Sequence, residues 1–229
     1  MVPVSGGSAG GSVVVAGGQF LCAAGNVESG ASLNGITAVS PSQVFVIVTD
    51  LEGGSRTTFA HGSGQSVLVG IDADAEGVFV HWYDKAAAPT VAGITKYAPD
   101  GSIAWAAQYA DLYSESAGSW HVAGPVRYDE SADQVVASGQ GVVAIDAGTG
   151  AVKWSWGGSG YEIFDVAPAP SGQAWVLAED ASSDVRFMLV GSGGVVRSDV
   201  VDISLHGGTL HPTDDLSVVF VSYIVAAQG

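Results

Sequence analysis

The run Ala144-Ile145-Asp146-Ala147-Gly148-Thr149-Gly150-Ala151-Val152-Lys153-Trp154 decides how the chain is read. Its apolar ends read as two strands. The Asp, Gly and Thr-Gly between them supply a hairpin turn, because glycine takes the positive φ that a tight reversal needs. Upstream, Thr95-Lys96-Tyr97-Ala98-Pro99-Asp100-Gly101-Ser102-Ile103-Ala104-Trp105 repeats the layout around an Asp-Gly turn. Downstream, Met188-Leu189-Val190-Gly191-Ser192-Gly193-Gly194-Val195-Val196-Arg197 is a third copy without the tryptophan.

Working outward, pairs of apolar strands recur along the chain. Residues 35–39 lead to 44–48, 69–72 to 78–80, 122–126 to 135–137, 163–166 to 174–177, and 207–210 to 218–221. The second members begin at 44, 78, 135, 174 and 218, on average about 44 residues apart. A period of about 40–50 residues with four strands per unit is that of propeller blades. The strand 44–48 (Val-Phe-Val-Ile-Val) is apolar at every position, as expected where neighbouring blades bury both faces. Helical periodicity is nearly absent.

The last unit supplies only two strands, and two further candidates, 12–16 and 19–23, precede the first unit. Two plus two complete a blade, and pairing the chain ends removes exposed strand edges. The expectation is an all-β fold: a single β-propeller over 1–229, five-bladed, closed between its N- and C-terminal strands, with a flexible Gly/Ser-rich segment at 1–11. The short first interval suggests that the first unit has lost its outer strand. Six blades is the alternative, with a reduced blade hidden between 78 and 135.

The pattern Ala144-x-Asp146-x-x-Thr149-Gly150-x-x-x-Trp154 resembles the tryptophan-docking motif of the PQQ-like (quinoprotein) β-propeller repeat. The Tyr97 to Trp105 copy is similar to the related bacterial repeat with an Asp-Gly turn and a following Trp, carried here by Asp100, Gly101 and Trp105. The resemblance covers about half of the chain. It implies that Trp154 packs between blades and that Thr149-Gly150 makes the turn. Quinoprotein enzymes use a longer ring, commonly with a vicinal cysteine pair and a carboxylate-bound calcium. The resemblance to those enzymes implies an alcohol or sugar dehydrogenase. This chain has one cysteine and room for about five blades, which argues instead for a non-enzymatic member without a quinone cofactor.

Composition agrees with a packed, turn-rich fold. Hydrophobic residues make up 47% and charged residues 13% of the 229, with 33 glycines, which excludes a disordered chain. The glycines keep no period of three, so collagen is out. No apolar run reaches the roughly 18 residues of a membrane helix. Seven Lys plus Arg against 23 Asp plus Glu give a net charge of −16. That charge repels phosphate backbones and anionic lipid, so neither a nucleic acid nor a membrane is an expected partner. Cys22 sits in an apolar stretch and reads as a buried thiol. The first residues lack the basic and apolar regions of a signal peptide. That leaves a cytoplasmic protein, a chain whose leader was removed, or an assembly component released by lysis.

Three clusters carry chemistry-bearing residues. Asp72, Asp74 and Glu76 alternate ahead of Gly77 like the opening of a calcium loop, but position twelve is Tyr83 where a closing carboxylate belongs. An acidic turn is the preferred reading, with calcium the one cofactor considered. Tyr109, Tyr113, Glu115, Trp120 and His121 lie in the longest inter-repeat segment. Aromatic faces among carboxylates and hydroxyls suit a sugar, although packing between blades explains Tyr109 and Trp120 as well. His81-Trp82-Tyr83-Asp84 alternates faces along a strand, so these residues cannot converge on one point. No catalytic residue is assigned.

The function expected is therefore a non-enzymatic structural or binding module. It is read as a bacteriophage tail or capsid appendage that contacts proteins of its assembly, a host-surface glycan or further copies of itself. A virion or extracellular surface is the expected location, with the cytoplasm as the alternative. A carbohydrate-active propeller enzyme and a periplasmic outer-membrane-assembly scaffold are the competing classes.

Overall fold

The computed structural model describes residues 4–5, 9–18, 20–33, 35–38, 42–52, 54, 56–62, 66–84, 87, 91–112, 126–201, 208–212 and 218–222. They are almost wholly strand and turn, without an α-helix among the described residues. The chain divides into two compact units, residues 1–110 and 111–229.

The first unit holds β1 (Val4–Ser5), β2 (Ala9–Gly17), β3 (Phe20–Glu28), β4 (Ser32–Leu33), β5 (Ile36–Thr37), β6 (Ser42–Asp50), β7 (Arg56–His61), β8 (Ser66–Ala73), β9 (Val78–Asp84), β10 (Val91–Tyr97) and β11 (Ile103–Gln108). Two antiparallel four-stranded sheets form, ordered β2-β3-β6-β7 and β8-β9-β10-β11. Between them Phe20, Cys22 and Ala24 of β3 and Val44, Val46 and Val48 of β6 meet Ile71, Ala73, Val78 and Val80. Alternation along each strand sends those residues to one face.

The opposite face of β6 has a different cover. Between β3 and β6 the hairpin β4-β5 pairs with β1 instead of with that sheet, and Ala31, Leu33 and Ala38 lie against Phe45 and Val27. The all-apolar strand is buried on both faces as its sequence predicts, but the inserted hairpin covers the second one.

This topology corrects the sequence reading. The stretch 35–39 is not the partner strand of 44–48, because β6 pairs with β3 in register from Phe20↔Asp50 to Glu28↔Ser42. The candidates 12–16 and 20–23 belong to β2 and β3, the opening strands of a complete first sheet, and among the described residues they pair with no strand of the last one. Nor has the first unit lost its outer strand, which is β7.

The second unit holds β12 (Val126–Asp129), β13 (Gln134–Ser138), β14 (Val142–Asp146), β15 (Val152–Trp156), β16 (Tyr161–Ala169), β17 (Gln173–Asp180), β18 (Val185–Gly191), β19 (Gly194–Val200), β20 (Gly208–Pro212) and β21 (Val218–Ser222). Strands β12 to β15 and β16 to β19 form two four-stranded meanders in chain order, and β20-β21 is a two-stranded pair. The first two sheets pack through Val136, Val142, Ala144, Val166, Val176 and Met188. On the other side of the β16–β19 sheet, Ala167, Leu177 and Val185 pack with Leu210 of β20. There the buried Asp165 carboxylate accepts the Leu210 N–H at 2.6 Å. Four-stranded antiparallel meanders that stack face to face are the repeat of a propeller blade.

The repeat extends to irregularities. In three sheets the outermost hairpin carries a bulge at the same place, between Lys96 and Tyr97, between Ala144 and Ile145, and between Leu189 and Val190. The residue just past the bulge is Trp105 opposite Lys96, Trp154 opposite Ala144 and Arg197 opposite Leu189. The third hairpin copy is thus in register with the others, with arginine at the tryptophan position.

Candidate functional site

A concave feature lies in the second unit, where the β12–β15 and β16–β19 sheets meet at their turns. It is a cleft of about 370 Å³ lined by Ser131, Ala132, Gln134, Lys153, Trp154, Ser171 and Gly172. Its shape is set by three turns. At the first, Asp129 Oδ1 accepts the Ser131 N–H (3.0 Å), the Ser131 hydroxyl (2.7 Å) and the Ala132 N–H (3.3 Å). At the second, Asp146 Oδ1 accepts the Thr149 N–H (2.9 Å) and its hydroxyl (2.8 Å), and Gly150 takes φ +74°. The Thr149 hydroxyl, with the turn amides and Lys153, holds the Asp146 carboxyl below its ordinary range. The third turn carries Ser171 and Gly172 at φ 64° and 70°.

The β15 bulge sets the two largest lining residues. Lys153, the unpaired residue of the bulge, sends Nζ back to the carbonyls of Ala132 (2.7 Å) and Asp133 (2.9 Å). Trp154 turns into the apolar layer between the sheets, and its indole N–H donates to the Gly172 carbonyl at 2.8 Å. Trp154 thus packs between two neighbouring sheets and is tied to a turn of the second. Its counterpart Trp105 lies against Phe79, ring centroids 6.0 Å apart. Asp100 accepts the Ser102 N–H (2.9 Å) and hydroxyl (2.7 Å), and Gly101 takes φ +87°.

The acidic loop is folded about an internal cation. Asp74 Oδ1 accepts the N–H groups of Glu76 (2.9 Å) and Gly77 (2.8 Å), while Oδ2 pairs with Lys96 Nζ at 2.7 Å. Asp72 accepts the Ala73 N–H, and Glu76 is exposed with its carboxylate 3.5 Å from Lys96. Lys96 also lies over the Phe79 ring, 5.2 Å from its centroid. Its ammonium thus lies between the Asp74 and Glu76 carboxylates. Among the described residues no three His, Cys, Asp or Glu side chains gather into a metal-binding group.

Of the aromatic candidates, Tyr109 is buried, its N–H donating to the Ala92 carbonyl at 3.1 Å. Burial pushes its hydroxyl up to about 12. Tyr113, Glu115, Trp120 and His121 lie outside the described residues. His81 is wholly buried in β9. Cys22 is buried as expected, and burial, with the Asp72 charge adding, pushes its thiol up to about 12.

Two groupings escaped the sequence reading. One is Lys153 with Gln134 and Ser171, whose partners lie about twenty residues away and carry no local signal. The other is in the first unit, where the buried His61 Nδ1 meets the Tyr97 hydroxyl at 2.7 Å, bonding β7 of one sheet to β10 of the next. Trp82 packs on His61 at 4.9 Å and bonds Thr95 Oγ1 at 3.0 Å. Burial lowers His61 to about 4, against the nearby charge of Asp84, which raises it. The imidazole is therefore neutral at ordinary pH.

The class defined by this geometry is an all-β protein of repeated four-stranded sheets. No protein-family model matches the sequence, that of the quinoprotein repeat included, and no curated protein matches it. Among solved structures, the WD40 β-propeller domain of Doa1 is similar at TM-score 0.42 and 10% identity, over 91% of this chain and 88% of that one. A mitotic checkpoint complex is similar at TM-score 0.38 and 8% identity, over 92% and 89%.

Proposed function

We propose that the chain is a non-enzymatic, five-bladed β-propeller module that acts by presenting a surface to a ligand or partner. The observation that carries this reading is the cleft at Lys153 and Trp154. Its described lining offers a cation, two hydroxyls, an amide and an indole edge on rigid turns. Such groups recognise a polar ligand, and the volume falls in the range of small-ligand sites. The ligand class proposed is a host-surface glycan, whose hydroxyls match the donors and acceptors of Ser131, Gln134 and Ser171.

The finer assignment is a tail or capsid appendage of a bacteriophage virion. Its support is compositional: the chain is low in lysine and rich in glycine, with a net charge of −16, a surface that resists unspecific association.

A glycan array probed with wild type and Ser171→Gln tests the reading. The longer side chain enters the cleft from a turn residue, outside both sheet ladders. Binding of wild type to an arrayed glycan, lost in S171Q at unchanged thermal stability, is the expected result. Release of sugar from the array would overturn the non-enzymatic reading, and equal binding by both proteins would overturn the site.

A further inference from the structure

The outermost strand of the β16–β19 sheet has a chemically palindromic sequence. Val196-Arg197-Ser198-Asp199-Val200 reads apolar, positive, hydroxyl, negative, apolar from either end, once the sign of the charge is exchanged. Strand β19 pairs with β18 on one side, and among the described residues no strand pairs with its other edge. From Val195 onward it is exposed, including Val195 (42%), Val196 (57%) and Val200 (54%). Arg197 holds the register position of the half-buried Trp154 in the preceding sheet. Instead of packing between sheets it lies in the open, its Nε donating to Asp199 at 2.6 Å.

The ladder fixes which backbone groups face outward. The Val201 N–H donates to the Val185 carbonyl at 2.8 Å, so 185 and 201 form a hydrogen-bonded pair. The pairs Phe187↔Asp199 and Leu189↔Arg197 continue that alternation. The N–H and C=O groups of Ser198 and Val200 therefore point away from β18.

We infer that β19 pairs antiparallel with β19 of a second copy of this chain, about a two-fold axis at Ser198. Ser198 of each copy then exchanges both backbone hydrogen bonds with Ser198 of the other. Each Arg197 stands opposite an Asp199 in the non-hydrogen-bonded position, where side chains approach most closely. Each Val196 faces a Val200. The two-fold makes every contact occur twice, as an isologous interface requires. Shifting the strands by two residues in either direction brings like charges or a charge and a valine together, so the charges select this register. In a chain of net charge −16, β19 is a local stretch with balanced charge, where two copies can approach. The inference rests on the register of β19 alone and stands apart from the glycan reading.

Sedimentation velocity over a concentration series tests it, with wild type, R197D, D199R and the double variant R197D/D199R. A reversible wild-type dimer is expected. Each single variant sets like charges opposite one another twice and weakens the dimer about tenfold or more, while the double variant restores it. A wild type that stays monomeric throughout would overturn the inference. So would single variants that dimerise as wild type does, or a double variant that fails to recover. If a charge variant loses its β-sheet circular dichroism, Ser198→Pro decides, since it removes an N–H that faces away from β18. A monomer supports the pairing and an undiminished dimer overturns it.

Discussion

Six aspartates share one task. Asp50, Asp74, Asp100, Asp129, Asp146 and Asp180 each sit at a hairpin and accept a backbone N–H from the turn that follows. A short carboxylate closes such a turn by satisfying amides that the ladder leaves over. These six carboxylates therefore belong to the architecture of the turns. The cations are similarly engaged, with Lys96 on Asp74, Lys153 on two carbonyls and Arg186 on Asp180. His61 makes the sharpest prediction at this scale. Its value is ordinarily 6.5 and is lowered to about 4 in the folded chain. Between those values the unfolded chain binds the extra proton, so stability rises with pH there. The contribution is fully present above about 6.5 and is lost as pH falls toward 4, with a magnitude of about 3 kcal/mol. Urea unfolding from pH 7 to pH 4 should show this slope, and His61→Gln should flatten it. An equal slope in the variant would remove His61 as its source.

The hairpins were legible because everything that makes them is local. Asp146, Thr149, Gly150 and Trp154 lie within nine residues, and the turn, the bulge and the docked indole follow from that spacing. Trp154→Phe keeps the ring in the layer between sheets but loses its bond to Gly172, and should cost about 1 kcal/mol. Trp154→Ala also leaves a cavity, and should cost about 3–5 kcal/mol. Chemical denaturation measures both, and equal losses would mean that packing contributes nothing beyond the bond. The pairing of β3 with β6 was not legible. The strand 44–48 looked like the second strand of a blade because it is the most apolar run nearby. Its true partner is separated from it by the β4-β5 hairpin, and Ala31, Leu33 and Ala38 there are apolar enough to imitate a strand. Periodicity reports which residues are buried, but not which element buries them.

For the whole molecule, the strand repeat and the all-β class were visible in the sequence, while the assignment of strands to sheets and the cleft were not. The cleft joins residues from 131 to 172 on three separate turns, and no local pattern links Lys153 to Ala132. The same long-range blindness produced the expected exchange of strands between the chain ends. In the structure each complete sheet is built from consecutive stretches, interrupted in the first by the inserted hairpin. The architecture therefore hinges on where residues 20–28 pair. Cross-strand backbone NOEs from an isotope-labelled sample measure that directly. The account predicts contacts from Cys22 to Val48 and from Ala24 to Val46, the observed register of β3 on β6. Contacts from residues 20–28 to 218–222, with none to 42–50, would contradict it.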